Sequence, residues 1–227
     1  MLANARKNCD WQTEFTVISL DGAMPQSADR RVGQRYMTVL QTGKLTGENG
    51  DELCLIRNIS SGGAMLELFS DIDTGETVTI EFRMGLVVEA IVRWIEDGRC
   101  GVAFAAPIDV HQVLSPGGSR MAPRAPRLSV EGNAAIECEG ERIGAARVID
   151  ISQGGVKVET DAELTEGQHI VMAIDGLPLR ASTVCWSEDG MAGIAFSRTI
   201  PLGQVSAWAA GHQRHKQPIL AGKASAT

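Results

Sequence analysis

Apolar residues fall at every second position over several short stretches of this chain. Val78, Ile80 and Phe82 alternate with Thr77, Thr79 and Glu81, and Leu86, Val88, Ala90, Val92 and Trp94 then share one face of a second stretch. A period of two sends successive side chains to opposite faces, the signature of a strand with one buried side. Leu177, Leu179, Ala181, Thr183 and Cys185 repeat the alternation later in the chain. Asp97-Gly98 and Asp189-Gly190 separate such stretches from the next. Asp-Gly suits a two-residue hairpin, because both central residues of a type I′ turn need positive φ.

The chain also matches itself without gaps at an offset of 92 residues. VRWIEDGRCGVAF from Val92 aligns with VCWSEDGMAGIAF from Val184, with eight identities in thirteen positions. In the same register NISSGGAMLE from Asn58 pairs with DISQGGVKVE from Asp150, Gly75 with Gly167, and Arg35 with Arg127. That period is too long for a solenoid unit and matches a small domain with its own core. The expected fold class is all-β: two tandem six-stranded antiparallel β-barrels, closed or nearly closed so that their edges are hidden, each followed by a short helix. The helices are placed at 108–114 and 204–212. The Pro-Gly-Gly breaker in SPGGSR at 115–120 marks the junction. The expected organisation is a leader over 1–28, a first barrel over 29–114, a linker over 115–119, a second barrel over 120–212 and a flexible tail over 213–227.

Composition narrows the function classes. Of 227 residues, 44% are hydrophobic and 22% charged, which suits a folded core and not a disordered chain. The formal charge of −7 argues against a nucleic-acid coat, so no DNA or RNA partner is expected. There is no apolar run long enough for a membrane span. The opening MLANARKNCDWQTEF has a Lys/Arg pair without the apolar stretch of a secretory signal, so the expected compartment is the cytoplasm. Five cysteines with no C-x-x-C pair indicate neither a disulfide framework nor a zinc knuckle, and they read as small buried hydrophobes. His212 and His215, near the tail, are expected to be exposed, and no metal or cofactor is expected. Trp94 and Trp186 end alternating strands and are expected to pack in the core or at the barrel rim.

Two segments of the first copy carry the candidate chemistry. One is the basic run Arg30-Arg31-Val32-Gly33-Gln34-Arg35; the other is the small-residue turn Asn58-Ile59-Ser60-Ser61-Gly62-Gly63. Guanidinium groups offer a fork of donors for phosphate or the O6/N7 edge of guanine, and a flat face for stacking. Asn58 and Ser60 supply short-range hydrogen bonds. Gly62 and Gly63 are expected to allow positive φ and close approach of backbone N–H to a ligand.

Arg31-x-x-x-Arg35 followed by Asn58-x-Ser60-x-x-Gly63 resembles the paired motif of the PilZ domain, R-x-x-x-R and then D/N-x-S-x-x-G. The resemblance implies a six-stranded barrel with a trailing helix and a receptor for the bacterial second messenger cyclic di-GMP. On that reading Arg30, Arg31, Arg35, Asn58, Ser60, Gly62 and Gly63 hold the ligand. Copy two carries Asp150-x-Ser152-x-x-Gly155, but Pro123 stands where copy one has Arg31. Arg120 and Arg124 form an R-x-x-x-R string three residues out of register. Arg124, Arg127, Asp150, Ser152 and Gly155 therefore make a weaker, second candidate site.

No nucleophile elbow, phosphate loop or zinc-protease motif is present, and the candidate site has donors without a general base, so no enzyme is expected. The resemblance leads to a cyclic di-GMP receptor that signals through ordering of the arginine loop and domain contacts to a downstream protein the sequence does not identify. The rival is a tandem barrel scaffold that has lost nucleotide binding and works through protein contacts.

Overall fold

The computed structural model describes residues 36–114 and 125–213. The first barrel is built from β1 (Tyr36–Gly47), β2 (Gly50–Ser60), β3 (Gly63–Glu67), β4 (Thr77–Glu81), β5 (Val87–Glu96) and β6 (Arg99–Phe104), followed by α1 (Val110–Leu114). The second repeats it with β7 (Leu128–Cys138), β8 (Glu141–Ser152), β9 (Gly155–Thr160), β10 (His169–Ile174), β11 (Arg180–Glu188) and β12 (Met191–Phe196), followed by α2 (Leu202–Ala210). Each is a closed antiparallel barrel with spatial order β1-β2-β3-β6-β5-β4, or its equivalent, the last strand pairing back to the first. The tandem all-β fold read from the pattern is the observed one.

The hairpin turns follow the chemistry expected of them. Asp97 and Gly98 have φ of 48° and 70°, and Asp189 and Gly190 have 51° and 72°, the two positive values a type I′ turn requires. Each barrel wall faces inward with aliphatic residues. Val78, Ile80 and Phe82 are at most 1% exposed, and Phe82 meets Phe104 edge to face at 6.2 Å. Cys54 and Cys100 are buried, as expected of small hydrophobes, whereas Cys138 and Cys185 are half-buried.

The alternation misplaces two faces. In β5, Val88, Ala90 and Val92 point inward, but Trp94 is 42% exposed. The pairing of β5 with β6 shifts register between Val92 and Trp94, and such a bulge inserts one residue, so everything beyond it changes side. The same shift lies between Val184 and Trp186 in β11, and Trp186 is 40% exposed. Neither tryptophan belongs to a core. In β11 the inward residues are Ser182 and Val184, while Leu179, placed by pattern with Ala181, Thr183 and Cys185, is 65% exposed. Ser182 is tolerated inside because its hydroxyl donates to the Arg180 carbonyl at 2.9 Å.

Each barrel has its own core, and one residue of barrel one enters that of barrel two. Leu53 of β2, fully buried, packs with Leu128, Val130, Val205, Trp208 and Ala209 of the second barrel. Ser206 of α2 donates its hydroxyl to the Leu53 carbonyl at 3.1 Å. Gln213 closes the same edge: its Oε1 accepts from the Asp51 N–H at 2.9 Å, and its amide donates to the Asp51 carbonyl. Gln213, at the margin of the expected tail, is thus anchored to barrel one. His212, expected to be exposed, is half-buried and stacks on Trp208 at 4.2 Å between ring centroids. Its Nδ1 lies 2.7 Å from the Trp208 carbonyl.

Candidate functional site

The Asx-Ser-Gly segments lie on the outer wall of each barrel, at the β2–β3 and β8–β9 hairpins. A register shift between Ile56 and Asn58 turns Asn58 outward, where it pairs with Met65 of β3 and Met37 of β1. The corresponding shift in barrel two falls between Val148 and Asp150, and Asp150 pairs with Lys157. The two copies therefore use the same bulge to present an amide in one barrel and a carboxylate in the other.

The serine and the glycines are occupied by the fold. Ser60 Oγ donates to the Gly63 carbonyl at 3.1 Å, and Ser152 Oγ to that of Gly155 at 3.3 Å, so each hydroxyl closes its own hairpin. Gly62 and Gly63 were expected to exploit positive φ, yet neither lies in that region. A Cβ at Gly63 would stand well under 3.0 Å from the Val102 carbonyl oxygen, and one at Gly155 equally close to that of Ile194. Glycine is required there by the neighbouring strand. Gly62 has open space around it; its carbonyl accepts from the Phe104 N–H at 2.9 Å, and the Gly154 carbonyl accepts from Phe196 in the same way.

Arg30, Arg31, Arg35 and Arg124 lie outside the described residues. Arg127 does not: its Nη1 donates to Asp150 Oδ1 at 2.7 Å, across 23 positions of sequence. The arginine is 44% exposed and the carboxylate 22%. In barrel two the structure thus joins the arginine half of the motif to the Asx half. Ser152 is buried and Gly155 enclosed, leaving Arg127 and Asp150 as the accessible members of that group among the described residues.

The next residue of the second turn, Gln153, accepts from the Thr42 hydroxyl of β1 at 3.0 Å and donates to the Ile200 carbonyl at 3.2 Å. The turn of barrel two is therefore part of the contact with barrel one. A cleft of about 280 Å³ opens between barrel one and α2, lined by Asp51, Glu52, Phe69 and Ser206 among others, and it contains no motif residue. Burial pushes the Glu52 carboxyl there above its usual range, opposed by hydrogen bonds from Phe69 and Ser70. Among the described residues no group of His, Cys, Asp or Glu is arranged to hold a metal. No described helix is long and apolar enough to cross a membrane.

Sequence reasoning missed how the wall beside the motif is built. Trp94 pairs with Gly101, and Gly101 with Met65, so one outer row runs Trp94, Gly101, Met65, Asn58. The repeated spacing from Trp94 to Gly101 and from Trp186 to Gly193 was the available signal.

Duplicated closed barrels, each with an Asx-Ser-Gly hairpin turned to its outer wall and, in the second, an arginine joined to it, define a tandem barrel protein of the motif-bearing kind. The PilZ domain profile matches residues 29–115 and again 120–208, and the chain belongs to the PilZ domain family. Comparison with curated proteins finds no sequence match. Among solved structures the chain is similar to the PlzA protein of Borreliella burgdorferi in complex with c-di-GMP, at 10% identity and a TM-score of 0.32, over 75% of this chain and 86% of that one. It is similar to YcgR of Escherichia coli in complex with c-di-GMP at 16% identity and 0.30, over 75% and 80%. It is also similar to the Bacillus subtilis inhibitor of motility MotI at 13% identity and 0.31, over 76% and 96%. Family membership rests on the sequence match.

Proposed function

We propose that the chain is a cyclic di-GMP receptor whose principal site lies on barrel one. The observation that carries this reading is the Arg127–Asp150 contact. It joins two positions whose counterparts 92 residues earlier are Arg35 and Asn58. In barrel two the arginine meets a carboxylate that neutralises it and repels phosphate. In barrel one the counterpart of Asp150 is Asn58, a neutral amide that cannot neutralise a guanidinium. Arg31 and Arg35 grip phosphate and the guanine edge, with Arg30 assisting, while Asn58 offers its amide to the second base. Ser60, Gly62 and Gly63 act through the shape of the hairpin that holds Asn58.

Occupancy passes to barrel two through β1. That strand begins directly after Arg35, and its Thr42 hydroxyl holds Gln153 of the second motif turn. The protein acts in this reading as a binding module, without catalysis, in the cytoplasm and towards a protein partner. A micromolar site needs about 8 kcal/mol, and charge-assisted hydrogen bonds contribute about 1.5–3 kcal/mol each, so a few arginine contacts suffice. Calorimetric titration with cyclic di-GMP tests the assignment: Arg35→Ala weakens binding by about 30-fold, a loss of about 2 kcal/mol. Unchanged affinity in both Arg31→Ala and Arg35→Ala removes the site.

One observation favours the scaffold reading. The serine and glycine of both motifs serve the fold, so their recurrence does not itself require a ligand. Absence of any heat with the wild-type chain at millimolar dinucleotide selects that reading.

A further inference from the structure

The cleft between barrel one and α2 lies away from the motif and carries a charge that barrel two does not repeat. Asp51, Glu52, Asp71 and Glu76 line it, and no Lys, Arg or His does. Glu52 is only 6% exposed. Its Oε2 accepts from the Phe69 N–H at 3.1 Å, and among the described residues no cation pairs with it. Glu76 is held by backbone too, accepting from the Glu48 N–H at 2.7 Å and the Asp73 N–H at 3.3 Å. Lys44 stands 3.9 Å from Asp51 but 2.9 Å from Glu81. A carboxylate taken out of water is costly unless a cation or a full set of hydrogen bonds compensates it. The barrel architecture does not demand that cost: at the offset of 92 residues, Ile143 and Gly144 occupy the places of Asp51 and Glu52.

The walls between the carboxylates are apolar. Phe69, 39% exposed, and Ile72 line the barrel side, and Ala207 and Ala210 line the side of α2. The volume of about 280 Å³ falls below the roughly 300–1,000 Å³ of a small-molecule pocket and suits a few side chains of an extended segment. Such a segment needs cations for the acids and alkyl groups for Phe69. The chain supplies one at the mouth: Gln213, which lines the cleft and hydrogen-bonds the Asp51 backbone, is followed by Arg214-His215-Lys216-Gln217-Pro218-Ile219-Leu220. Residues 214–227 hold Arg214, Lys216 and Lys223 with no Asp or Glu, in a chain of net charge −7.

We propose that residues 214–220, which lie outside the described residues, dock into this cleft: Arg214 and Lys216 pair with Glu52 and Asp71, while Ile219 and Leu220 cover Phe69 and Ile72. An extended chain advances at most about 3.6 Å per residue, so the segment reaches about 25 Å from Gln213, enough to cross a cleft of this volume. Docking continues the closure that Gln213 begins and straps α2 of the second barrel to the wall of the first. It gives the buried Glu52 the counter-charge that the described residues do not. The cleft contains no motif residue, so the strap is independent of where the dinucleotide binds.

Trypsin cuts after Arg214 and Lys216 only while they are out of the cleft, so the rate of cleavage there in the full-length chain, followed by mass spectrometry, reads occupancy. Cleavage of wild type is expected to be about 10-fold slower than that of Glu52→Gln/Asp71→Asn, and the difference to shrink in about 1 M salt. Asp71→Asn alone, at an exposed side chain, shifts the rate in the same direction without touching the buried hydrogen bonds of Glu52. Zero-length carbodiimide coupling is expected to join Lys216 to Asp71 or Glu76 within one chain. Equal cleavage rates in wild type and both variants, with no such cross-link, overturn the strap. A cross-link found only between two chains assigns the cleft to a second copy and overturns it as well. So does coupling of an added Lys/Arg-rich peptide to these carboxylates in the full-length chain where Lys216 itself does not couple, which assigns the cleft to a foreign basic segment.

Discussion

Replacing Gly63 and Gly62 separately by alanine distinguishes a glycine required by the barrel from one available to a ligand. Gly63 is not in the positive-φ region, so alanine can adopt its backbone conformation and any cost is steric. The added methyl meets the Val102 carbonyl oxygen well inside 3.0 Å, with the Val102 carbonyl carbon at 3.4 Å and the Ala103 Cα at 3.5 Å behind it. All three are backbone atoms of β6, so relief requires the strand to move. That strand is paired on its other side with β5 through Ala90 to Phe104 and onward. Overpacking of this kind costs about 1–3 kcal/mol, and the reduced freedom of the unfolded chain returns about 0.4–1 kcal/mol. The expected net loss for Gly63→Ala is about 1–2 kcal/mol, while Gly62→Ala stays within about 0.5 kcal/mol. Urea titration followed by far-UV circular dichroism measures both, the midpoint moving with an unchanged slope. A Gly63→Ala chain as stable as wild type that has nevertheless lost cyclic di-GMP would refute the assignment of this glycine to the fold. Equal destabilisation by Gly62→Ala would refute the steric argument itself.

Three further outcomes follow from the buried groups. Leu53→Ala, which empties the place where barrel one enters the core of barrel two, costs about 2–5 kcal/mol in a urea titration; a loss below about 1 kcal/mol contradicts that packing. Because desolvation raises the Glu52 pKa above 4.5 in the folded state, the folded chain holds that proton more tightly. The group's contribution to stability is full at lower pH and declines as pH rises above about 4.5. Glu52→Gln removes that decline, and identical pH profiles for variant and wild type rule the effect out. Burial pushes Cys54 far above its usual range and Cys100 up to about 12, so at pH 8 neither thiol reacts with a disulfide reagent in the native chain while both react in urea. Mass mapping of labelled peptides reads this directly, and native labelling of Cys100 would contradict its enclosure.

The alternation of Val78, Ile80 and Phe82, the Asp-Gly turns and the offset of 92 residues were sufficient to read two closed or nearly closed barrels from the amino-acid sequence. Strand period, turn chemistry and duplication are local or self-referential properties, and each can be counted along the chain. The motif was legible for the same reason. What its members do was not. Ser60 and Gly63 have the residue types of a ligand turn, but their partners, the Gly63 carbonyl and the Val102 carbonyl, follow from hairpin closure and from which strand lies alongside.

The outward turn of Trp94 and Trp186 was equally hidden. A bulge inserts a single residue and reverses the parity of everything after it, and nothing in the alternation marks where pairing with the neighbouring strand will slip. Contacts between distant segments are the remaining part that only tertiary structure decided. Leu53 fills the core of the other barrel, Gln213 hydrogen-bonds Asp51, and Arg127 meets Asp150. The sequence by itself determined that two such barrels would form; how one reaches into the core of the other and which side chains remain on their outer walls depended on closure, because those partners become neighbours only once the strands are in register.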